Sequence, residues 1–406
     1  MLSFEDARRK IIAITKNLPC TPAVERIGIE SALGRILAEN ITADRDYPPF
    51  DRAARDGYAV RSADCREPGA TLRIIGEVRA GSAPVKAVGS GECMQIMTGA
   101  AVPAGADAVV MIEQTRPGGS SNEIVIERNA QAGMNFVPRG AEARAGDVLL
   151  RSGKRLGDAE LSLAAQVGCA ELAVYCQPRV AILSTGDEVV AIEAKPGLFE
   201  IRNSNSVSLA AQCRAAGGEP VLLGNAPDRA NELRKLIERG LAEDILVMSG
   251  GVSMGKYDLV EGVLRELGAE FFFDAVDIRP GRPAVFGVCR GKPVFGLPGN
   301  PVSTMVTFEL FVVPSIDILG GSEPRPLPLL KARLAKPVEK KADLTHFVPA
   351  LLEWSQGEAT VTELAWQGSG DIGTVARGNC YLVVPQAKLK LAAGEWVDVL
   401  PRRGLL

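Results

Sequence analysis

Apolar positions at the start of the chain recur at helical spacing: Phe4, Ala7, Ile11 and Ile14 share a face, Ser3-Phe4-Glu5-Asp6 has capping-box spacing, and Pro19 ends the run. The pattern predicts an amphipathic helix, then a second helical stretch over 30–39 that gives way to Pro48 and Pro49. From Phe50 to about Val137 the period shortens. Runs at 71–78, 93–97, 108–113 and 123–127, separated by Gly, Pro and Ser, predict a compact β-rich insertion. After Gly140 the chain resumes with a short run at 147–150 and a helix over 158–167, with Gly168 in the favoured C-cap position. The expected order is a split helical, elongated N-terminal domain (1–46 and 141–177) around an inserted β-rich domain (47–140).

Over 178–324 the two periods alternate, with strands at 179–184, 220–223 and 244–249 and helices at 207–216, 230–239 and 259–267. Such alternation predicts a three-layer α/β domain whose parallel-type sheet is covered on both faces. The most apolar stretch, 298–319, is interrupted by Pro301, Glu309, Pro314 and Asp317 and reads as a buried helix, not a membrane span. The tail, 325–406, has strand-like runs at 361–366, 381–384 and 396–400 and predicts a small β-barrel-like domain. The fold class expected is multidomain α/β.

Composition narrows the chemistry. At 406 residues the chain holds two to four domains. A net charge of −3 lacks the basic excess of a phosphate-backbone binder, so nucleic acid is not an expected partner. The first ten residues carry Glu5, Asp6, Arg8, Arg9 and Lys10 and no apolar signal region, which predicts a cytoplasmic protein with no membrane partner. Eight cysteines lie far apart without CxxC spacing and read as reduced thiols. His346 is the only histidine, so any triad or multi-histidine metal mechanism would have to run through it.

In an open parallel sheet ligands bind beyond the carboxyl ends of the strands. The loops there are polar and glycine-rich: Ser184-Thr185-Gly186-Asp187-Glu188, Ala226-Pro227-Asp228, Ser249-Gly250-Gly251-Val252-Ser253-Met254-Gly255 with Asp258 following, Arg279-Pro280-Gly281-Arg282, and Leu297-Pro298-Gly299-Asn300-Pro301-Val302-Ser303. Glycine loops leading into helices present backbone amides to oxyanions. Arg279 and Arg282 flank a turn and could converge on one anion; two solvated arginines are the structural alternative. Glu188, Asp228 and Asp258 follow three different strands and could hold a hard cation such as magnesium, although each alone reads equally as a cap or a surface charge. Together the five loops carry what metal-assisted chemistry at a phosphoanhydride requires.

These residues resemble the family of molybdopterin molybdenumtransferases that includes bacterial MoeA and the gephyrin E domain. The matching motifs are Phe50-Asp51, Asp56-Gly57-Tyr58-Ala59-Val60, Ile96-Met97-Thr98-Gly99-Ala100, Ala106 to Met111, Ser184 to Glu188, Asn203-Ser204-Asn205-Ser206 and the two glycine loops. The resemblance implies a cytoplasmic homodimer that inserts molybdate into adenylylated molybdopterin with release of AMP, assisted by Mg2+ or another divalent cation. It also implies contact with a molybdopterin adenylyltransferase and with maturation factors downstream. By resemblance, the catalytic residues are Asp56, Thr98 and Glu142 on the insertion, facing Glu188, Asp228 and Asp258 on the partner's α/β domain, the last three also binding metal. Substrate would be held by Thr185, Gly186, Asp187, Ser249, Gly250, Gly251, Ser253, Gly255, Arg279, Arg282, Pro298, Gly299, Asn300, Pro301 and Ser303. The chain departs from the family at Ala53-Ala54-Arg55, at Ala141, which leaves Glu142 as the match, and at Arg279 and Arg282, where lysines are usual. His346 or Arg377 would replace a missing C-terminal arginine. A pterin adenylyltransferase or nucleotide hydrolase, or a receptor scaffold, are the rival readings.

Overall fold

The computed structural model describes residues 1–251, 259–340, 344–355, 357–388 and 390–403. Helix α1 (Phe4–Lys16) begins where Ser3 Oγ accepts the Asp6 amide at 3.1 Å. Its apolar face, Phe4, Ala7 and Ile11, is buried in the core of the α/β domain, with Phe4 edge-on to Phe347 at 5.4 Å between ring centroids.

The two N-terminal segments meet through backbone pairing. Val24–Gly28 runs antiparallel to Glu171–Tyr175, and Ile41–Thr42 to Val148–Leu150. Helix α2 (Asp158–Gln166) packs with Leu37, Ile41, Leu156 and Val174. The helix expected over 30–39 does not form: Ile29–Ser31 makes one 3₁₀ turn and the chain then extends. Gly34 takes φ +76°, and the amides of Gly34 and Leu37 bond across the module to Leu156 and Lys154 instead of along a helix. The inserted segment forms a six-stranded sheet in the order Ala108–Met111, Gly57–Val60, Glu92–Ile96, Thr71–Val78, Glu123–Ile126, Thr115–Pro117.

The α/β domain is built on β1 (Arg179–Thr185), β2 (Glu219–Ala226), β3 (Ile245–Ser249), β4 (Glu270–Phe273), β5 (Val285–Cys289) and β6 (Lys292–Leu297), in the order β2-β1-β3-β6-β5-β4. The first four of that order are parallel; β5 and β4 close the edge antiparallel. Alternation along β1 feeds two cores. Val180 and Ile182 pack with Leu209 and Cys213 of α3 (Ser204–Ala216), while Ala181 and Leu183 pack with Leu233 and Ile237 of α4 (Ala230–Gly240) and Val263 of α5 (Leu259–Glu266). The apolar stretch after β6 is helix α6 (Pro301–Thr307), a π-turn over Phe308–Val312 and α7 (Val313–Leu319), 94% buried within the protein.

In the C-terminal segment, β7 (Leu330–Leu334), β8 (Thr345–Ser355), β9 (Glu358–Glu363), β10 (Cys380–Val384) and β11 (Trp396–Pro401) close into a barrel, because β8 pairs with both β9 and β10. Ile278–Arg279 adds to it beside Thr345-His346, so the turn carrying both arginines bridges the α/β domain and the barrel.

Candidate active site

The carboxyl ends of the parallel strands open on a cleft of 460 Å³ lined by Thr185, Gly186, Glu188, Asp228, Ser249, Gly250 and Gly251. The loop after β1 is set by its neighbours: Asn225 Nδ2 donates to the carbonyls of Gly186 and Val189 at 2.9 and 3.1 Å. Gly186 has φ +127°, and a Cβ there would sit 2.6 Å from Glu188 Oε2, so the turn needs glycine for the carboxylate to fold back over it. Ser184 Oγ donates to Asn203 Oδ1 at 3.0 Å and lies 3.3 Å from Ser249 Oγ, joining β1, the N-cap of α3 and β3 under the cleft.

The glycine loop after β3 lies against β1. At Gly250 and Gly251 a Cβ would meet the Thr185 carbonyl at 2.7 Å and Thr185 Oγ1 at 2.6 Å. Thr185 is 5% exposed, and its Oγ1 has no hydrogen-bond partner among the described residues. Ser253, Gly255 and Asp258 lie outside the described residues.

Acidic groups crowd one wall. The Asp228 amide donates to Asp187 Oδ1 at 3.1 Å, and the Asp228 carboxyl is raised above the ordinary aspartate range by partial burial and by the charges of Asp187 and Glu188. Asp187 ties the two loops together and does not line the cleft. Among the described residues no group of three or more His, Cys, Asp or Glu side chains is placed to hold a metal ion. Glu188 and Asp228 do share one wall, and hard oxygen donors made repulsive by their own crowding suit a divalent cation.

A second cleft of 990 Å³ lies between the α/β domain and the barrel and shares Pro283, Pro298 and Asn300 with the first. Arg279, Arg282 and Ser303 line it together with His346, which is 4% exposed. The Arg279–Pro280 peptide is cis and Gly281 has φ +106°, where a Cβ would collide with Thr307 Cγ2 at 2.6 Å. Arg377 lines neither cleft; its Nη2 donates to Thr374 Oγ1 at 2.7 Å.

The shared wall is the Leu297–Pro301 turn. Asn300 sits at the N-cap of α6 without capping it, because its Nδ2 donates to Ser369 Oγ at 2.9 Å, while the Ser369 carbonyl accepts the Val302 amide at 3.0 Å. Asn205 Nδ2 donates to the Gly299 carbonyl at 2.8 Å from the other side. Pro301 opens the helix at its first turn, and Ser303 is buried and lines the second cleft.

Asp56, Thr98 and Glu142 line neither cleft. Asp56 Oδ1 accepts the Thr98 amide at 2.6 Å, and that bond with the Thr98 hydroxyl holds its carboxyl below the ordinary range. Glu142 pairs with Arg52 at 2.7 Å, and Phe50 and Met97 stand exposed nearby in sequence. Sequence reasoning missed Asn225, Arg202 and Ser369 as site residues; only the Asn203 to Ser206 motif pointed to the α3 terminus, and nothing local marks Ser369.

Three family models cover the chain: the MoeA N-terminal region (domains I and II) over 2–168, a probable molybdopterin binding domain over 181–317, and the MoeA C-terminal region (domain IV) over 331–401. A molybdopterin molybdenumtransferase of Bacillus subtilis is 34% identical over 385 residues, 93% of this chain and 89% of that protein. One from Staphylococcus aureus is 33% identical over 98% of this chain and 95% of its own. The crystal structure of the molybdopterin biosynthesis MoeA protein from Pyrococcus horikoshii superposes with a TM-score of 0.82 at 27% identity, covering 99% of this chain and 100% of that one. With its three parts in family order and its clefts built from family motifs, the chain belongs to the molybdopterin molybdenumtransferases, transferases of molybdenum cofactor biosynthesis.

Proposed function

We propose that the chain inserts molybdate into adenylylated molybdopterin and releases AMP, with the phosphoanhydride in the first cleft and molybdate in the second. One observation carries the reading: an acid-walled cleft and an arginine-lined cleft meet along Pro283 and the Pro298 to Asn300 turn, so a ligand spanning them meets opposite charge environments at its two ends. In the second cleft Arg279 and Arg282 offer planar guanidinium forks to a tetrahedral oxyanion, with the buried Ser303 hydroxyl behind them. In the first, Thr185 and the backbone of Ser249 to Gly251 fix the pterin phosphate, and Gly299, held by Asn205, positions the linkage.

Mg2+ or another divalent cation fits the wall formed by Glu188 and Asp228, with Asp258 as the third expected ligand. When bound, it would neutralise charge on the phosphoanhydride oxygens. Water adds to phosphorus as the bridging P–O bond of the phosphoanhydride breaks, and AMP leaves beside the wall of Glu188 and Asp228.

Asp56, Thr98 and Glu142 belong to the same reaction by resemblance and reach neither cleft of their own chain, which supports a homodimer with the insertion of one subunit over the α/β domain of the other. Described cysteines are all free, in keeping with a cytoplasmic site of action. Contacts with an adenylyltransferase and with maturation factors follow from the same reading. The test incubates purified protein with adenylylated molybdopterin, magnesium and molybdate and measures AMP release and reconstitution of a molybdenum-free apoenzyme. AMP release dependent on molybdate supports the proposal; unchanged substrate rejects it.

A further inference from the structure

Further along α3 and α6 from the clefts lies a separate cavity of 240 Å³, walled by Ala211 and Ala215 of α3, Met305 of α6 and Pro401 at the end of β11. Two polar groups face it without partners. Tyr381 is 3% exposed, and no described residue bonds to its hydroxyl. Gln212 Nε2 donates to the Met305 carbonyl at 2.9 Å, which fixes the amide and leaves the buried Oε1 with no donor. Buried polar groups are nearly always satisfied, so the buried Gln212 oxygen, with the unbonded Tyr381 hydroxyl at the same cavity, calls for an occupant.

The remaining groups define what that occupant is. Glu309, 6% exposed, lies on the π-turn and is paired with Arg403, whose Nε donates to Oε2 at 3.0 Å. Arg402 Nη1 is engaged by the carbonyls of Val375 and Gly378. The cationic groups are thus already compensated, Arg403 Nη2 lying 2.8 Å from Glu309 Oε1, and what faces the cavity is oxygen: that carboxylate oxygen, which accepts no hydrogen bond from a described residue, an amide carbonyl that accepts, and a hydroxyl that accepts or donates. Burial raises the Tyr381 hydroxyl well above its usual range, so it stays neutral. A π-turn in a long buried helix is a strained irregularity that recurs at ligand sites, and here it carries Glu309 to the cavity wall.

We propose that this cavity is a second ligand site, distinct from the reaction clefts, for a small uncharged molecule with an apolar body and N–H donors, a carboxamide or an aminoheterocycle. Gln212 Oε1 accepts from the amide nitrogen, Tyr381 bonds the other polar atom, and Ala211, Ala215, Met305 and Pro401 hold the apolar body. The site does not depend on the reaction proposed above, since no residue of either cleft lines it.

The probes are benzamide and benzoate, alike in size and different in donors and charge, titrated by calorimetry and ligand-observed NMR on the full chain. Benzamide binds and benzoate does not. Tyr381→Phe weakens benzamide by about tenfold, the loss of one hydrogen bond, and leaves the melting temperature of the free protein unchanged or higher, because an unsatisfied hydroxyl has been removed. Ala211→Trp, at an exposed position of α3, fills the cavity and abolishes binding. Failure of benzamide to bind, equal binding by the Ala211→Trp protein, or a lower melting temperature for Tyr381→Phe, which would show the hydroxyl held by structural water, overturns the proposal.

Discussion

The backbone amide of Asp228 donates to the Asp187 carboxylate at 3.1 Å, bridging the loops that follow β1 and β2. The bond holds Asp228 beside two acids, and their charges, after burial, raise its own carboxyl. Two loops remote in sequence thereby make one acidic wall.

Asp228→Asn separates structure from chemistry. A carboxyl raised in the folded state is no burden below its unfolded pKa, about 3.9, and destabilises the fold increasingly as pH rises through the folded value. At neutral pH the variant is therefore slightly more stable than wild type, the exposure of Asp228 keeping the gain small, and the difference vanishes near pH 3. Molybdate-dependent AMP release falls sharply, and magnesium raises the melting temperature of wild type more than that of the variant. Thermal melts across pH, with and without magnesium, check all three.

Gly251→Ala introduces a Cβ 2.6 Å from Thr185 Oγ1 and 2.9 Å from Val260 Cγ2 at φ +63°. Stability falls by about 1–3 kcal/mol and the loop shifts away from β1. Urea denaturation measures the first effect and loss of substrate binding the second.

Arg279→Ala and Arg282→Ala each weaken molybdate binding by roughly tenfold, while Arg→Lys at either position recovers part of it as a point donor without the fork. Isothermal titration at two salt concentrations reads the loss, and binding unaffected by both alanine variants would remove molybdate from the second cleft.

Asp317→Ala tests the joint between the divided N-terminal module and the α/β domain. The Asp317 side chain, on α7 of the second, is fully buried and pairs with Arg155 of the first at 3.3 Å and with Arg325 beyond α7 at 2.6 Å. Removing it leaves two partly buried guanidinium groups facing each other, a loss of about 3 kcal/mol visible in urea denaturation, with little change in molybdate affinity.

Local pattern determined much of this protein. Amphipathic spacing specified α1, the alternation of periods specified the α/β domain, and glycine loops after parallel strands pointed to the edge of the sheet where the first cleft lies, because side-chain periodicity and the C-terminal placement of loops are properties of short stretches of chain. Tertiary structure decided the rest. Residues 30–39 carry a helical pattern, yet Gly34 and backbone bonds to Lys154 and Leu156 draw them into extended chain. Asn205 and Ser369 became site residues only when the fold brought them to Gly299 and Asn300, 94 and 69 positions away. Asp56 and Thr98, read from motifs as easily as Glu188, and Glu142, taken as the match beside Ala141, stand apart from both clefts of their own chain. A motif specifies the conformation of its own backbone; which distant surface meets it depends on the summed packing of four domains, and no local period encodes that.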